Sequence, residues 1–174
     1  DHNYATRHWY AVCCTGEPVR KFLVHTGYGG KNGKSELADL HMNCLPYISF
    51  KLGNKAMNEG NEDEHKYFSK LKHQPARFLL VEELKGAKID GTRLCVLIDQ
   101  KPYEIKQLGC EDTTLLHPQA KLNITGNNDP NIPDEGGCKN RAQQIEYTQR
   151  FLNDAEYDAA KGDDDPDVHR ADPD

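Results

Sequence analysis

Three groups of residues have the side-chain types and spacing that chemistry needs: a glycine-rich run ending in a lysine and a serine, six cysteines, and an acidic pair set among scattered histidines. The run from Gly27 to Ser35 reads GYGGKNGKS and follows an apolar stretch. A loop that curls its amides round a phosphate calls for Gly, four residues, then Gly-Lys-Ser or Gly-Lys-Thr. Gly33-Lys34-Ser35 supplies the end of that pattern, but the first glycine falls at Tyr28, and Gly27 lies one residue too far away. The count fails by one. A cysteine-bridged chain of this length also leaves little room for the parallel sheet that presents such loops, so the run is expected to be a flexible turn.

The cysteines lie at positions 13, 14, 44, 95, 110 and 138, an even number with no Cys-x-x-Cys spacing, which argues against a zinc or thioredoxin-like site. A framework of three disulfides over Cys13, Cys14, Cys44, Cys95, Cys110 and Cys138 is the expectation. Cys13 and Cys14 are not expected to bond to each other, because adjacent residues cannot meet the usual separation of bridged α-carbons. Asn123-Ile124-Thr125 is an N-glycosylation sequon, so Asn123 is the candidate acceptor. Bridges and a sequon together point to an oxidising, extracellular destination and a secreted protein.

The remaining chemistry is sparse. Glu82-Glu83 with His117 downstream could form an acid and base pair. Neighbouring strand residues face opposite ways, however, so only one of the two glutamates could join such a site. Of the eight histidines, His41 lies on a helix face beside a cysteine, where packing is its expected role. No Gly-x-Ser-x-Gly and no His-Glu-x-x-His is present. No catalytic, cofactor-binding or metal-ligating residue is assigned, and no cofactor is expected.

The elements that would position these residues are read from periodicity. Tyr4 to Cys14, rich in aromatic and β-branched residues, reads as a strand, as do Val19 to Thr26 and Tyr47 to Leu52. Ser35 reads as the cap of a helix with Leu37, Leu40, His41 and Cys44 on one face, and Asn61 with Glu64 as the cap of a second helix, with Tyr67, Phe68 and Leu71 inward. From Pro75 to Thr125 the runs RFLLVEEL, AKIDGTRLCVLID, KPYEIKQLGC, TTLLH and AKLNIT read as strands of a small antiparallel sheet. Lys139 to Ala160 reads as a helix. The expected class is α+β, mainly antiparallel β, a small sheet, barrel or sandwich with two or three helices stapled by disulfides.

A chain of 174 residues forms one domain or two small ones. Two halves suit the pattern, a cysteine-containing α+β half over 1–74 and a β-rich half with a terminal helix over 75–161, with a single domain over 1–161 as the alternative. Hydrophobic residues make up 36%, and the mean hydropathy is −0.85, low for a globular protein, yet the apolar residues are clustered. Six of the 28 acidic residues lie between Gly162 and Asp174, so the net charge of −6 belongs mostly to an end that reads as a disordered acidic tail. No basic stripe with interleaved aromatics marks a nucleic-acid partner, and no apolar run is long enough for a membrane span. The start at Asp1, without a methionine or an apolar signal segment, reads as a processed chain.

Six cysteines, short strands such as HWYAVCC and KFLVHT, and a polar end resemble by type the small secreted cysteine-rich effectors and toxins of plant-associated fungi. That resemblance implies a monomeric effector of virulence type that binds a host protein or receptor without catalysis. The alternatives are a secreted hydrolase or nuclease using carboxylate and histidine, and a calycin-like carrier of a small ligand. A pocket in which two titratable groups converge would mark an enzyme.

Overall fold

The computed structural model describes residues 2–27, 29–60, 64–84, 88–106, 113–160 and 166–171. Helix α1 spans His2–Cys13, strand β1 Phe22–Thr26 and helix α2 Lys34–Cys44. Strand β2 (Ser49–Leu52), helix α3 (Glu64–Lys72), strand β3 (Phe78–Glu82) and helix α4 (Gly91–Asp99) follow. Then come β4 (Tyr103–Lys106), β5 (Thr113–Leu116), β6 (Lys121–Thr125), a short α5 (Cys138–Arg141) and β7 (Ala142–Glu146). A last unit holds β8 (Arg150–Leu152), α6 (Asp154–Ala160) and β9 (Val168–Arg170).

The centre is a five-stranded sheet in the order β2-β3-β6-β1-β7, and every pairing in it is parallel. Parallel neighbours need crossovers that lay helices on both faces, so inner strands are buried on both sides and read as unbroken apolar runs. Phe22 to Thr26 and Lys121 to Thr125 are buried at every position. Alternation sorts their side chains into two cores. Phe22, Val24, Leu79, Val81, Leu122 and Ile124 meet Phe68 of α3 and Leu94 and Leu97 of α4. Leu23, Phe78, Leu80 and Ile145 meet Trp9 and Cys13 of α1 and Ala38 of α2.

The expected α+β, mainly antiparallel class is therefore replaced by an α/β sheet with helices on both sides. Among the described residues, antiparallel pairing is confined to β4 with β5 and to one isolated bridge between Asn58 and Ile89. Three segments change type. Tyr4 to Cys14 carries strand-like residues, but its buried side chains, Trp9 and Cys13, are four apart, the spacing of one helix face. AKIDGTRLCVLID contains α4, whose cap is Asp90: its carboxylate accepts from the Arg93 amide at 3.0 Å, and Leu94, Leu97 and Ile98 form its buried stripe. The stretch from Lys139 to Ala160 breaks into α5, β7, β8 and α6, because Ala142–Glu146 adds an edge strand beside β1.

The five-stranded sheet takes β1 and β2 from before residue 75 and β3, β6 and β7 from after it, so the residues of both expected halves share one sheet. In the stretch expected to be a solvated tail, β9 pairs in parallel with β8; residues 161–165 and 172–174 lie outside the described residues. No helix among the described residues is long and apolar enough to cross a membrane.

Among the described residues the expected disulfide framework is not formed. Cys13, Cys14, Cys44, Cys95 and Cys138 are free thiols, and Cys110 lies outside the described residues. Cys13 is fully buried under Trp9, where burial pushes its thiol up to about 12. Asn123, the candidate glycan acceptor, is 0% exposed at the middle of the sheet and accepts from the Trp9 indole at 2.7 Å, which leaves no room for a glycan in the folded chain.

On β1, His25 is fully buried, with Nδ1 3.0 Å from the Tyr147 hydroxyl. Burial holds its pKa down at about 4, against an opposing hydrogen bond from Asn123. Since the unfolded chain takes up this proton near pH 6.5 and the folded chain only near 4, stability is complete above pH 6.5 and is lost as pH falls from there toward 4. Denaturant titrations at pH 7 and pH 5 should show a loss of about 2 kcal/mol that is missing in His25→Gln. An equal loss in the variant would assign the acid sensitivity to other groups.

Candidate functional site

The carboxyl ends of the sheet strands form one edge, and the residues that leave them converge there. The glycine-rich run connects β1 to α2. Gly29, Gly30, Lys31 and Gly33 have φ of 76°, 67°, 54° and 77°, left-handed backbone that turns a loop tightly. Gly27 is required for a second reason: a side-chain carbon there would stand 2.7 Å from the Tyr147 carbonyl oxygen and overlap the Asn32 amide. Helix α2 opens directly from Gly33 with no side-chain cap. Its first-turn amides therefore have no acceptor within the helix and carry the positive end of its dipole.

Lys34, the first residue of α2, is 5% exposed. Its ammonium donates to Asn127 Oδ1 at 2.7 Å and to Asn32 Oδ1 at 3.2 Å. Both acceptors are neutral amides, so no ion pair among the described residues offsets the desolvation of the charge, and burial lowers its pKa while the Glu83 carboxylate acts in the opposite sense. A buried ammonium held only by amides is poised to gain from an anion. Asn127 comes two residues after β6 ends, and Glu83 one residue after β3 ends, with its own φ at 51°. Strain at a non-glycine residue of this kind gathers at functional sites. The Glu83 amide donates to the Thr125 carbonyl at 2.8 Å, fixing the two strand ends together. Glu83, Thr125, Gly126 and Asn127 line a cavity of about 180 Å³ beside the loop.

Glu82, the last residue of β3, is ion-paired with Lys51 on the neighbouring strand. It shares the sheet face of Phe78 and Leu80, the face that α2 covers. Ser35 is exposed at the start of α2. The other side of the loop is braced by the terminal unit: the Phe151 amide donates to the Lys31 carbonyl at 2.7 Å, and the Lys31 ammonium pairs with Glu156 of α6.

His117 does not join the acidic pair. It lines a separate hollow with Arg77 and Ala120, at the amino ends of β3 and β6, and so lies across the sheet from Glu83. His41 is packed between Tyr10 and Phe78, with ring centroids at 4.9 and 4.4 Å. No group of three His, Cys, Asp or Glu residues that could hold a metal is found among the described residues. Asn127 is the candidate site residue that the sequence does not reveal. It lies 93 positions from Lys34, and only the parallel pairing of β6 beside β1 brings the two together.

No family model matches the chain, and no curated protein matches it in sequence. Solved structures do resemble it. The C-terminal region of NrS-1, in its apo A form, superposes with a TM-score of 0.54 at 13% identity, over 83% of this chain and 34% of that one. JCV helicase, in a complex with an acetamide compound, superposes with a TM-score of 0.56 at 12% identity, over 83% of this chain and 40% of that one. The chain thus spans about a third to two fifths of those structures, and the likeness is one of fold. It is an α/β fold with a parallel sheet, and not that of a disulfide-stapled, β-rich effector or a calycin barrel. Against this likeness the expectations of a binding protein without catalysis and of a chain with no nucleic-acid partner no longer stand.

Proposed function

We propose that this chain binds a nucleoside triphosphate at the loop 27–35 and hydrolyses its terminal phosphoanhydride. The observation that carries the reading is Lys34: a buried ammonium at a helix N-terminus, behind a loop of left-handed residues and hydrogen-bonded, among the described residues, to amide oxygens. Loop amides, the helix dipole and this charge all favour a phosphate in the same place. Glu83 and Asn127 border the adjoining cavity, where a water aligned with the terminal phosphorus has room to sit. Glu83 is the group to take its proton, and Asn127 the group to orient the water or the terminal phosphate.

A magnesium ion travelling with the phosphates fits the hard oxygen donors at hand, and Ser35 and Glu82 are the residues that would hold it. That ion takes few protein ligands and keeps its waters and the substrate's phosphates, so a three-carboxylate cluster is not needed. Such an ion would neutralise charge on the phosphates.

Titration calorimetry with ATP and magnesium tests the binding. A saturable one-site isotherm is expected, and a chain that gives no heat at millimolar ATP would contradict the reading. The fold shared with JCV helicase supports nucleic acid as the object on which hydrolysis acts. Single-stranded DNA added to a phosphate-release assay should raise the rate, and a rate indifferent to it removes this last step alone.

A further inference from the structure

We infer that the cavity on the far side of the loop receives the base and ribose of the nucleotide, with Phe151 as the face on which the base stacks; this rests on the phosphate-binding reading above. The cavity measures about 420 Å³, within the range of small-molecule sites, and lies between α1, α2 and the end of β7. Leu37, Ile145, Tyr147 and Phe151 give it an apolar wall, and Asn32 of the phosphate loop is part of its lining.

Asn32 links the two compartments. Its Oδ1 accepts from Lys34, whereas its Nδ2 is buried with no partner, in a residue 4% exposed. A buried amide donor left unmet is costly, and a ribose hydroxyl or a ring nitrogen entering the cavity is the acceptor it lacks. Phe151 is 44% exposed, one of the few large apolar side chains that the described fold leaves open. Its own amide is bonded to Lys31, so the ring is tied to the loop that holds the phosphates. Stacking on an aromatic face is open to any base, so the cavity would select a nucleoside triphosphate over a bare polyphosphate without fixing which base it carries.

The test compares ATP with inorganic tripolyphosphate, each with magnesium, by calorimetry on the wild type, Phe151→Ala and Phe151→Trp. Tripolyphosphate meets the loop alone. The wild type should prefer ATP by about tenfold or more, Phe151→Ala should lose about tenfold for ATP and nothing for tripolyphosphate, and Phe151→Trp should keep the preference. Should Phe151→Ala fail to fold, Phe151→Leu keeps the bulk without the π face, and its melting temperature must still rise with tripolyphosphate. Equal wild-type affinities, or a Phe151 effect that is absent or shared by both ligands, overturn the nucleoside pocket and leave the loop in place. Tripolyphosphate that fails to bind the wild type overturns the loop and the pocket with it.

Discussion

Replacing Lys34 by alanine should weaken ATP binding by about 10- to 150-fold, the equivalent of the ~1.5–3 kcal/mol carried by a hydrogen bond to a charged partner. The same change should not lower the melting temperature of the ligand-free chain. Lys34 is buried without an ionic partner among the described residues, and its pKa is lowered by burial, so folding strains its charged form instead of gaining from it. Its removal relieves that desolvation and leaves Asn32 and Asn127 to each other or to water. A lysine kept for packing would show the opposite pattern, with stability lost and affinity kept. Calorimetry and a melting curve on the same variant separate the two.

Replacing Glu83 by glutamine should cut ATP turnover by about 10²- to 10⁴-fold, the usual worth of a positioned base. Affinity for ATP should stay within a factor of about five, under ~1 kcal/mol, because glutamine keeps the size and the carbonyl oxygen of the side chain. Glu83 sits next to the cavity that Asn127 also borders, in left-handed backbone set by its bond to Thr125. Glu82 provides the contrast. It already pairs with Lys51, so Glu82→Gln should disturb magnesium-dependent binding more than it disturbs the proton transfer. A Glu83→Gln variant that turns over at the wild-type rate would remove Glu83 from the reaction.

Much of the local structure was legible in the sequence. The strands at Phe22–Thr26, Ser49–Leu52 and Phe78–Glu82 and the helices at Lys34–Cys44 and Glu64–Lys72 fall where apolar periodicity places them. Parallel pairing was not legible, because it is decided by crossovers of tens of residues, and a doubly buried strand such as FLLV shows no alternation to reveal its neighbours. The proposed phosphate loop is not evident from the sequence when glycine is counted at a fixed offset. Left-handed backbone is what the turn requires, and Gly29, Gly30, Lys31 and Gly33 supply it; Tyr28 lies outside the described residues. The cysteines misled by number. Cys13 and Cys138 are small apolar core residues here, and Cys95 lies partly buried against Cys138. Asp90, followed by the Leu94, Leu97 and Ile98 stripe, was the available sign that AKIDGTRLCVLID holds a helix.

On this reading the backbone of residues 29–35 wraps a phosphate. Amide chemical shifts followed by nuclear magnetic resonance during a titration with tripolyphosphate read this directly, residue by residue. The largest changes, saturating together, should fall on the amides of Gly30 to Glu36 and on Asn127, with the Lys34 side chain shifting in step. Changes that stay small there and are spread instead over exposed lysines and arginines would contradict the account.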